Sequence, residues 1–223
     1  MRIDVIFDTV CPWCFIGKRR LEAAVADLET DDIEIHWNAF LLNPDIPPEG
    51  MERRAYLRAK FGGESRALRV YSAIARAGAS AGIEFNFDEI DWTPNTIDSH
   101  RLVRFAQRYG RAVEAVELVF QSYFLDGRDI GKRSVLIDIG RQLGFEIDAL
   151  RAYLYEASNI QNVLDHNARA HRLGISGVPA FIIDGQFSIS GAQEPAVLRR
   201  LVDIARERRR ELVAGGFPDG VSN

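Results

Sequence analysis

The feature that most constrains this chain is a pair of cysteines two residues apart. Cys11 and Cys14 are the only cysteines among its 223 residues, and Cys11 stands three residues after the end of the mostly apolar segment 3–8. The apolar residues that follow, from Phe15 to Leu28, recur with the period of a helix. We therefore predict a short buried strand, a turn that carries both thiols, and a helix that begins at the pair.

A strand-to-helix junction is a place where a thiol pair can do chemistry. The unpaired amide groups at the start of a helix, and the positive end of its dipole, favour the thiolate form of the first cysteine. Pro12 suits the first helical position, because its ring presets the backbone angle and it lacks the amide proton that would be unpaired there. We predict Cys11 as the nucleophile and Cys14, on the buried side, as the resolving thiol.

Composition and charge exclude several classes of protein. Hydrophobic residues make up 47% of the chain, enough for one domain or for one domain with a large insertion. The net charge is −4, so there is no bulk basic character to hold nucleic acid or an anionic membrane. Residues 1–5 do not read as a secretory signal and no run is long enough to span a membrane, so we expect a cytoplasmic protein. In that compartment a C-x-x-C indicates redox catalysis or a metal site.

The order of predicted elements gives the fold class. Alternating apolar residues in segment 33–40 predict a second strand, which completes a βαβ unit. From about residue 51 to 173 there is no strand signal, and helical periods separated by glycine, proline or asparagine predict helices over residues 54–61, 67–81, 99–109, 112–124, 132–143, 147–156 and 160–173. Segments 180–183 and 187–190, joined at Asp184-Gly185, predict a hairpin before a final helix opened by Pro195.

We therefore predict an α/β chain of the order βαβ, helical insertion, ββα. Residues 1–50 and 174–213 would form one discontinuous thioredoxin-like domain. Residues 51–173 would form an all-helical insertion, and residues 214–223 a flexible tail.

Several motifs carry a resemblance to a known family. A C-x-x-C at the first helix of a βαβ unit is typical of thioredoxin-like redox proteins. With the segment Gly177-Val178-Pro179-Ala180-Phe181 and the helical insertion, the chain resembles the DsbA-like branch of the thioredoxin superfamily. More narrowly it is similar to the FrnE-like subfamily, in the motifs Cys11-Pro12-Trp13-Cys14-Phe15-Ile16-Gly17, Pro94-Asn95-Thr96 with His100-Arg101-Leu102, Tyr123-Phe124 before Gly127 with Asp129-Ile130, and Ser190-Gly191-Ala192-Gln193.

The resemblance implies a thioredoxin fold with inserted helices, protein-disulfide oxidoreductase activity and a cis peptide bond before Pro179. It also implies that the loop of Pro179 faces the cysteine pair and that the backbone of Val178 pairs with an extended substrate segment. The partners it implies are disulfide- or thiol-bearing protein clients or small thiols, together with a recycling reductase or oxidant. No bound cofactor and no metal are expected. The direction of exchange and a homodimer stay open.

Two other functions are compatible with the same scaffold. One is a glutathione-dependent isomerase or transferase, resembling the 2-hydroxychromene-2-carboxylate isomerase and kappa-class transferase groups, in which a serine usually stands where Cys11 does. Glutathione would then be a co-substrate held by Val178-Pro179 and by the segment Ser190-Gly191-Ala192-Gln193. The other is a chaperone-like module that binds unfolded chains through an apolar surface around Trp13 and Phe15.

Two further hypotheses concern single residues. A zinc site would combine the cysteine pair with His166 and His171, but imidazoles five residues apart on a helix point in different directions. Trp13 either shapes access to the sulfurs or simply packs in the core, and the sequence favours neither.

Overall fold

The computed structural model describes residues 1–28 and 33–214. Its strands are β1 (Arg2–Phe7), β2 (Glu34–Ala39), β3 (Met51–Glu52), β4 (Trp92–Thr93), β5 (Ala180–Ile183) and β6 (Phe187–Ser190). Its α-helices are α1 (Pro12–Val25), α2 (Arg53–Phe61), α3 (Glu64–Ala79), α4 (Ile97–Gln107), α5 (Ala112–Phe124), α6 (Arg133–Gln142), α7 (Ile147–Tyr155), α8 (Ile160–Arg172) and α9 (Pro195–Ala214). Apart from Ala214, the predicted flexible tail lies outside the described residues.

The central sheet has the strand order β2-β1-β5-β6. Strand β2 runs parallel to β1, with Ile3 opposite Ile35, whereas β5 is antiparallel to both β1 and β6. The parallel pair requires a crossover, which α1 supplies, and the hairpin β5-β6 closes the other edge. The predicted thioredoxin fold, βαβ followed by ββα, is confirmed.

Alternate residues of β1 face the two sides of the sheet. Ile3, Val5 and Phe7 belong to the main core with residues of α1, whereas Ile6 packs with Ala170 of α8 on the opposite side. Helices α1 and α9 pack against each other. The cysteine turn follows the C-terminal end of β1, between the sheet and the helices.

The 51–173 segment is almost entirely helical, and α2 to α8 begin and end within three residues of the predicted bounds. The expectation that it holds no strand is wrong, because β3 and β4 pair in an antiparallel ladder of two residues each, Met51 with Thr93 and Glu52 with Trp92. Strands this short show no alternation in the sequence. None of the described helices is both long and apolar enough to cross a membrane.

Candidate active site

Both cysteines lie at the start of α1. Cys11 is the residue before the first helical residue, Pro12, and its amide donates to the carbonyl of Asp8 at 3.0 Å. The amide of Cys14 donates in turn to the carbonyl of Cys11 at 3.0 Å. Both are free thiols, with only 4% of Cys11 and 1% of Cys14 exposed. The tight turn thus holds the sulfurs at the edge of the core.

The sulfur of Cys11 faces the loop that precedes β5. Its Sγ lies 3.6 Å from the carbonyl oxygen of Val178, to which the thiol donates, and it makes no hydrogen bond to an amide of α1. The peptide bond between Val178 and Pro179 is cis, as the resemblance implies. The structure therefore brings the predicted nucleophile and the predicted substrate-pairing backbone together.

Gly17 allows α1 to approach this loop closely. A Cβ atom at Gly17 would lie 2.8 Å from Cγ of Pro179 and 3.2 Å from the ring of Phe181. Any side chain at this position would push the helix and the loop apart. The contact sets the spacing between the cysteine turn and Val178.

The predicted segment Ser190-Gly191-Ala192-Gln193 lies behind the same loop. The amide of Gly191 donates to the carbonyl of Pro179 at 2.7 Å, and Arg20 of α1 donates to the carbonyl of Ala192 at 2.6 Å. The side-chain amide of Gln193 donates to the carbonyl of Ser190 at 2.7 Å. These bonds tie the segment to the Pro179 loop and to α1. They also occupy the side-chain amide of Gln193.

Cys14 keeps its proton because it is buried. Burial raises its pKa well above the ordinary thiol value, and the hydrogen bond and charge of Cys11 raise it further. The backbone amide of Asp8 opposes this shift, while the charge of the Asp8 side chain adds to it. Cys14 is therefore a thiol rather than a thiolate at neutral pH.

The turn that carries the cysteines is fixed to α4 by buried polar groups. The carboxyl of fully buried Asp8 has one oxygen 3.3 Å from Nε2 of His100 and accepts the amide of Leu42 at 2.8 Å with the other. The hydroxyls of Thr9 and Ser99 are 2.7 Å apart. No local sequence pattern indicates that Asp8 and His100 pair.

Helix α2 contributes Tyr56 to the surroundings of the cysteine pair. Burial raises the pKa of Tyr56 to about 12, while its hydrogen bond to Asn43, at 3.1 Å, and the charge of Arg53 oppose the shift. The charges of Asp8 and Cys11 also raise this pKa, so the phenol lies within electrostatic reach of the thiol. Nothing in the sequence pattern indicates this neighbour.

A family model described as the DsbA-like thioredoxin domain matches residues 2–203, nearly the whole chain. The chain belongs to this DsbA-like family. The match agrees with the sheet order and with the position of the cysteine pair at the first helix.

Three relatives illustrate how far the likeness extends. The uncharacterised protein YwbO of Bacillus subtilis is 26% identical over 212 residues, which cover 94% of this chain and 99% of the relative. The crystal structure of a probable DsbA oxidoreductase from Streptomyces coelicolor has a TM-score of 0.85 at 26% identity, covering 100% of this chain and 94% of that one. The cytosolic disulfide reductase DsbM from Pseudomonas aeruginosa, also solved with GSH, has a TM-score of 0.64 at 19% identity, covering 96% and 100%, and this likeness shows the fold.

The surroundings of two aromatic residues of this DsbA-like chain decide between the alternatives left open by the sequence. Trp13 is 38% exposed, so its ring lies at the surface beside the pair and does not fill the core. Phe15 is fully buried, because α1 turns it inward, and it cannot contribute to the apolar surface that the chaperone hypothesis requires.

The residues of the hypothetical zinc site have other partners. Nε2 of His166 lies 3.1 Å from a guanidinium nitrogen of Arg104, and the ring of His171 lies against Phe40, with centroids 4.9 Å apart. Across residues 1–28 and 33–214, no three metal-ligating side chains converge.

Proposed function

We propose that this DsbA-like chain is a thiol–disulfide oxidoreductase that acts through Cys11 and Cys14. The observation that carries the proposal is the 3.6 Å contact between the Cys11 sulfur and the Val178 carbonyl, with the Cys14 thiol buried behind it. An extended client segment that pairs with the backbone of Val178 would have its sulfur beside Cys11.

The exchange proceeds in two displacements. The Cys11 thiolate attacks a client disulfide, the client S–S bond breaks, and one client thiolate leaves as a mixed disulfide forms. Cys14 then gives up its proton and attacks the Cys11 sulfur, which releases the second client thiolate and leaves a Cys11–Cys14 disulfide. Two electrons have passed from the pair to the client. The reverse sequence oxidises a dithiol client, and a recycling reductant or oxidant resets the pair.

Glutathione is the small thiol that we propose as a recycling partner. A DsbA-like relative, the cytosolic reductase DsbM, has been solved with GSH, and its description as cytosolic also supports the cytoplasmic location proposed for this chain. The Val178-Pro179 loop and the adjoining segment 190–193 offer backbone groups beside Cys11 for such a thiol. The FrnE-like assignment within the family rests on the sequence motifs.

A glutathione-dependent isomerase or transferase is the weaker alternative. Such an enzyme activates bound glutathione and needs no thiol of its own at position 11. The free thiol of Cys11, directed at Val178 and backed by a second cysteine, favours disulfide exchange instead.

The proposal is tested with the two single cysteine variants in an insulin-reduction assay. Cys11→Ser is expected to lose turnover, because the attacking sulfur is gone, whereas Cys14→Ser is expected to accumulate mixed disulfides that appear on non-reducing gels and by mass spectrometry. The Cys11→Ser/Cys14→Ser variant is the control, and an aggregation assay on it tests the chaperone hypothesis. Turnover by Cys11→Ser at the wild-type rate would refute the assignment.

A further inference from the structure

The hairpin formed by α2 and α3 has a charge opposite to that of the rest of the chain. Residues 53–76 contain seven arginines and lysines and a single acidic residue, Glu64, which gives this segment a net charge of +6. The whole chain has a net charge of −4, so all other residues together carry −10. The α2–α3 hairpin is therefore a basic segment within an acidic chain.

Most of these cations have no acidic partner. Elsewhere in the described chain many arginines pair with carboxylates, as Arg128 does with Asp138 at 2.8 Å. In the hairpin, Arg58 lies 4.0 Å from Glu52, and the two side chains are 61% and 50% exposed. No ion pair within residues 1–28 and 33–214 involves the other exposed arginines, which are Arg54, Arg66, Arg69 and Arg76.

Three of the unpaired arginines lie along one face of α3. Arg69 and Arg76 follow Arg66 by three and ten residues. This spacing places all three on one side of the helix, opposite the buried residues Ala67 and Ile74. Ten residues of helix extend about 15 Å. The cations therefore form a stripe long enough for several carboxylates of one chain.

A cavity of about 320 Å³ opens between the two helices, on the side of α3 that faces away from this stripe. Its apolar walls include Leu57, Tyr71 and the 64%-exposed Leu68. Arg53, Arg54 and one acidic residue, Asp88, line it as well. The arginines of the stripe do not line this cavity, so an acidic segment would bind along the stripe without filling it.

The hairpin borders α1, the helix that begins at the cysteine pair. Tyr56 of α2, whose pKa is affected by the charge of Cys11, accepts a hydrogen bond from Lys60 at 2.5 Å. At the other end, a guanidinium nitrogen of Arg20 in α1 lies 3.4 Å from the hydroxyl of Ser80, just past α3. A client bound to the hairpin would therefore lie along α1, the helix that begins at the cysteine pair.

We propose that the α2–α3 hairpin is a docking surface for acidic segments of disulfide-bearing polypeptides. This inference rests on the proposed function and names its client class. Charge complementarity selects the acidic segment. A stripe of about 15 Å suits a polypeptide better than one small thiol.

The test compares two peptides that contain the same intramolecular disulfide. In one peptide the disulfide is flanked by Glu and Asp, and in the other by Gln and Asn. Wild type is expected to reduce the acidic peptide with a kcat/KM about tenfold higher at low salt, since each exposed ion pair contributes only a few-fold. The preference is expected to disappear near 0.5 M salt, where screening is strong. Equal values for both peptides at low salt would overturn the proposal.

The variant Arg66→Gln/Arg69→Gln/Arg76→Gln is expected to lose most of the preference, while its rate on an uncharged small disulfide is unchanged. The matched control is Arg200→Gln/Arg209→Gln/Arg210→Gln, which removes the same charge from three exposed arginines of α9 without ion pairs to described residues. It is expected to keep the preference. A control that loses as much as the hairpin variant would show that overall charge, not the hairpin, selects the client.

Failure of the proposed function can be recognised separately. If neither peptide nor the small disulfide is turned over, the proposed function fails, but the docking surface can still be tested. A disulfide-free acidic peptide must then bind to Cys11→Ser/Cys14→Ser, as measured by fluorescence anisotropy, and its affinity must fall when the three α3 arginines are replaced. Stronger competition by a single-stranded oligonucleotide of equal charge than by the acidic peptide would overturn the choice of a polypeptide.

Discussion

The two thiols differ because their surroundings differ. The sulfur of Cys11 meets the carbonyl of Val178 at the loop where a client would pair, whereas Cys14 is 1% exposed and keeps its proton at neutral pH. A protonated thiol is a poor nucleophile, so Cys14 does not compete for client disulfides. It becomes the attacking group once a mixed disulfide on Cys11 is held beside it.

The first prediction concerns the pH dependence of Cys14 in the Cys11→Ser variant. Burial raises the pKa of Cys14, so the thiolate fraction at any given pH is smaller than for an ordinary thiol. Its alkylation by iodoacetamide is expected to be slow at pH 7 and to rise about tenfold per pH unit to beyond pH 9. A rate that levels off below pH 9 would contradict the raised pKa.

The variant Asp8→Asn separates the contribution of charge from that of burial. Burial is the largest cause of the raised pKa of Cys14, and the negative charge of Asp8 adds to it. In the Cys11→Ser background, Asp8→Asn is expected to move the alkylation profile of Cys14 to lower pH, because asparagine has a similar shape and no charge. The control Asp148→Asn changes an 84%-exposed side chain and is expected to leave the profile in place.

At the scale of elements, α1 is held from two sides. On one side Gly17 lets the Pro179 loop approach; on the other, Lys18, only 3% exposed, reaches Glu117 of α5 at 2.7 Å and also pairs with Glu22. A buried ammonium is stable only when it is paired, so this contact fixes the rotation of α1 about its axis. The cysteine turn at its N-terminus is oriented accordingly.

Gly17→Ala adds only one methyl group but is expected to lower both stability and activity. The added methyl would lie 2.8 Å from Pro179, and overpacking of this kind costs about 1–3 kcal/mol of unfolding free energy. The gain in helix propensity, at most about 1 kcal/mol, offsets part of that cost. Thermal unfolding and insulin reduction measured on the same sample check both effects. Wild-type activity would show that the spacing between α1 and the Pro179 loop is unimportant.

A buried arginine joins α4 to the end of α7. Arg101 is fully buried and donates to the carbonyls of Leu154 at 2.8 Å and Tyr153 at 2.6 Å, and it pairs with Asp98 at 2.5 Å. Only a planar guanidinium can direct donors to all of these acceptors at once. The contact stabilises the helical insertion and does not touch the cysteines.

Arg101→Lys is expected to lower the free energy of unfolding by about 3 kcal/mol, because several charge-assisted hydrogen bonds to buried carbonyls are lost. The matched control Arg151→Lys alters an exposed ion pair with Asp148 and is expected to cost less than about 0.5 kcal/mol. Urea unfolding of both variants gives the comparison. Equal losses in the two variants would show that burial of Arg101 has no energetic consequence.

At the scale of the whole molecule, local patterns predict long elements well and distant contacts poorly. The observed bounds of α5, β5 and β6 are the predicted ones, because each segment shows its own period. The strands β3 and β4 have two residues each and show none. The pairing of Asp8 with His100 joins positions 92 residues apart, and no local pattern records such a contact. The place of Val178 beside Cys11 was predicted through family resemblance, not periodicity.

One continuous core crosses the predicted boundaries at residues 50 and 174. The ring of Phe15 in α1 stacks on Phe120 of α5 with centroids 5.0 Å apart, and Phe124 lies at 6.3 Å. Phe7 of β1 meets the same Phe120 edge-on at 6.1 Å. The helical insertion and the sheet domain therefore bury each other's aromatic residues, and neither segment completes a core without the other.

The sheet domain and the helical insertion are therefore expected to unfold in a single transition. Trp37 lies in β2 and Trp92 in β4, so each region has its own fluorescent reporter once the other tryptophans are replaced by phenylalanine. Urea titrations of Trp13→Phe/Trp92→Phe and Trp13→Phe/Trp37→Phe should each give a fluorescence midpoint that coincides with the loss of helical circular dichroism in the same variant. Comparison within each variant removes the effect of the substitutions on stability. If the Trp92 signal changed at a lower urea concentration than the helical signal, the segment around β3 and β4 would unfold separately, and the shared core would not make the two regions one cooperative unit.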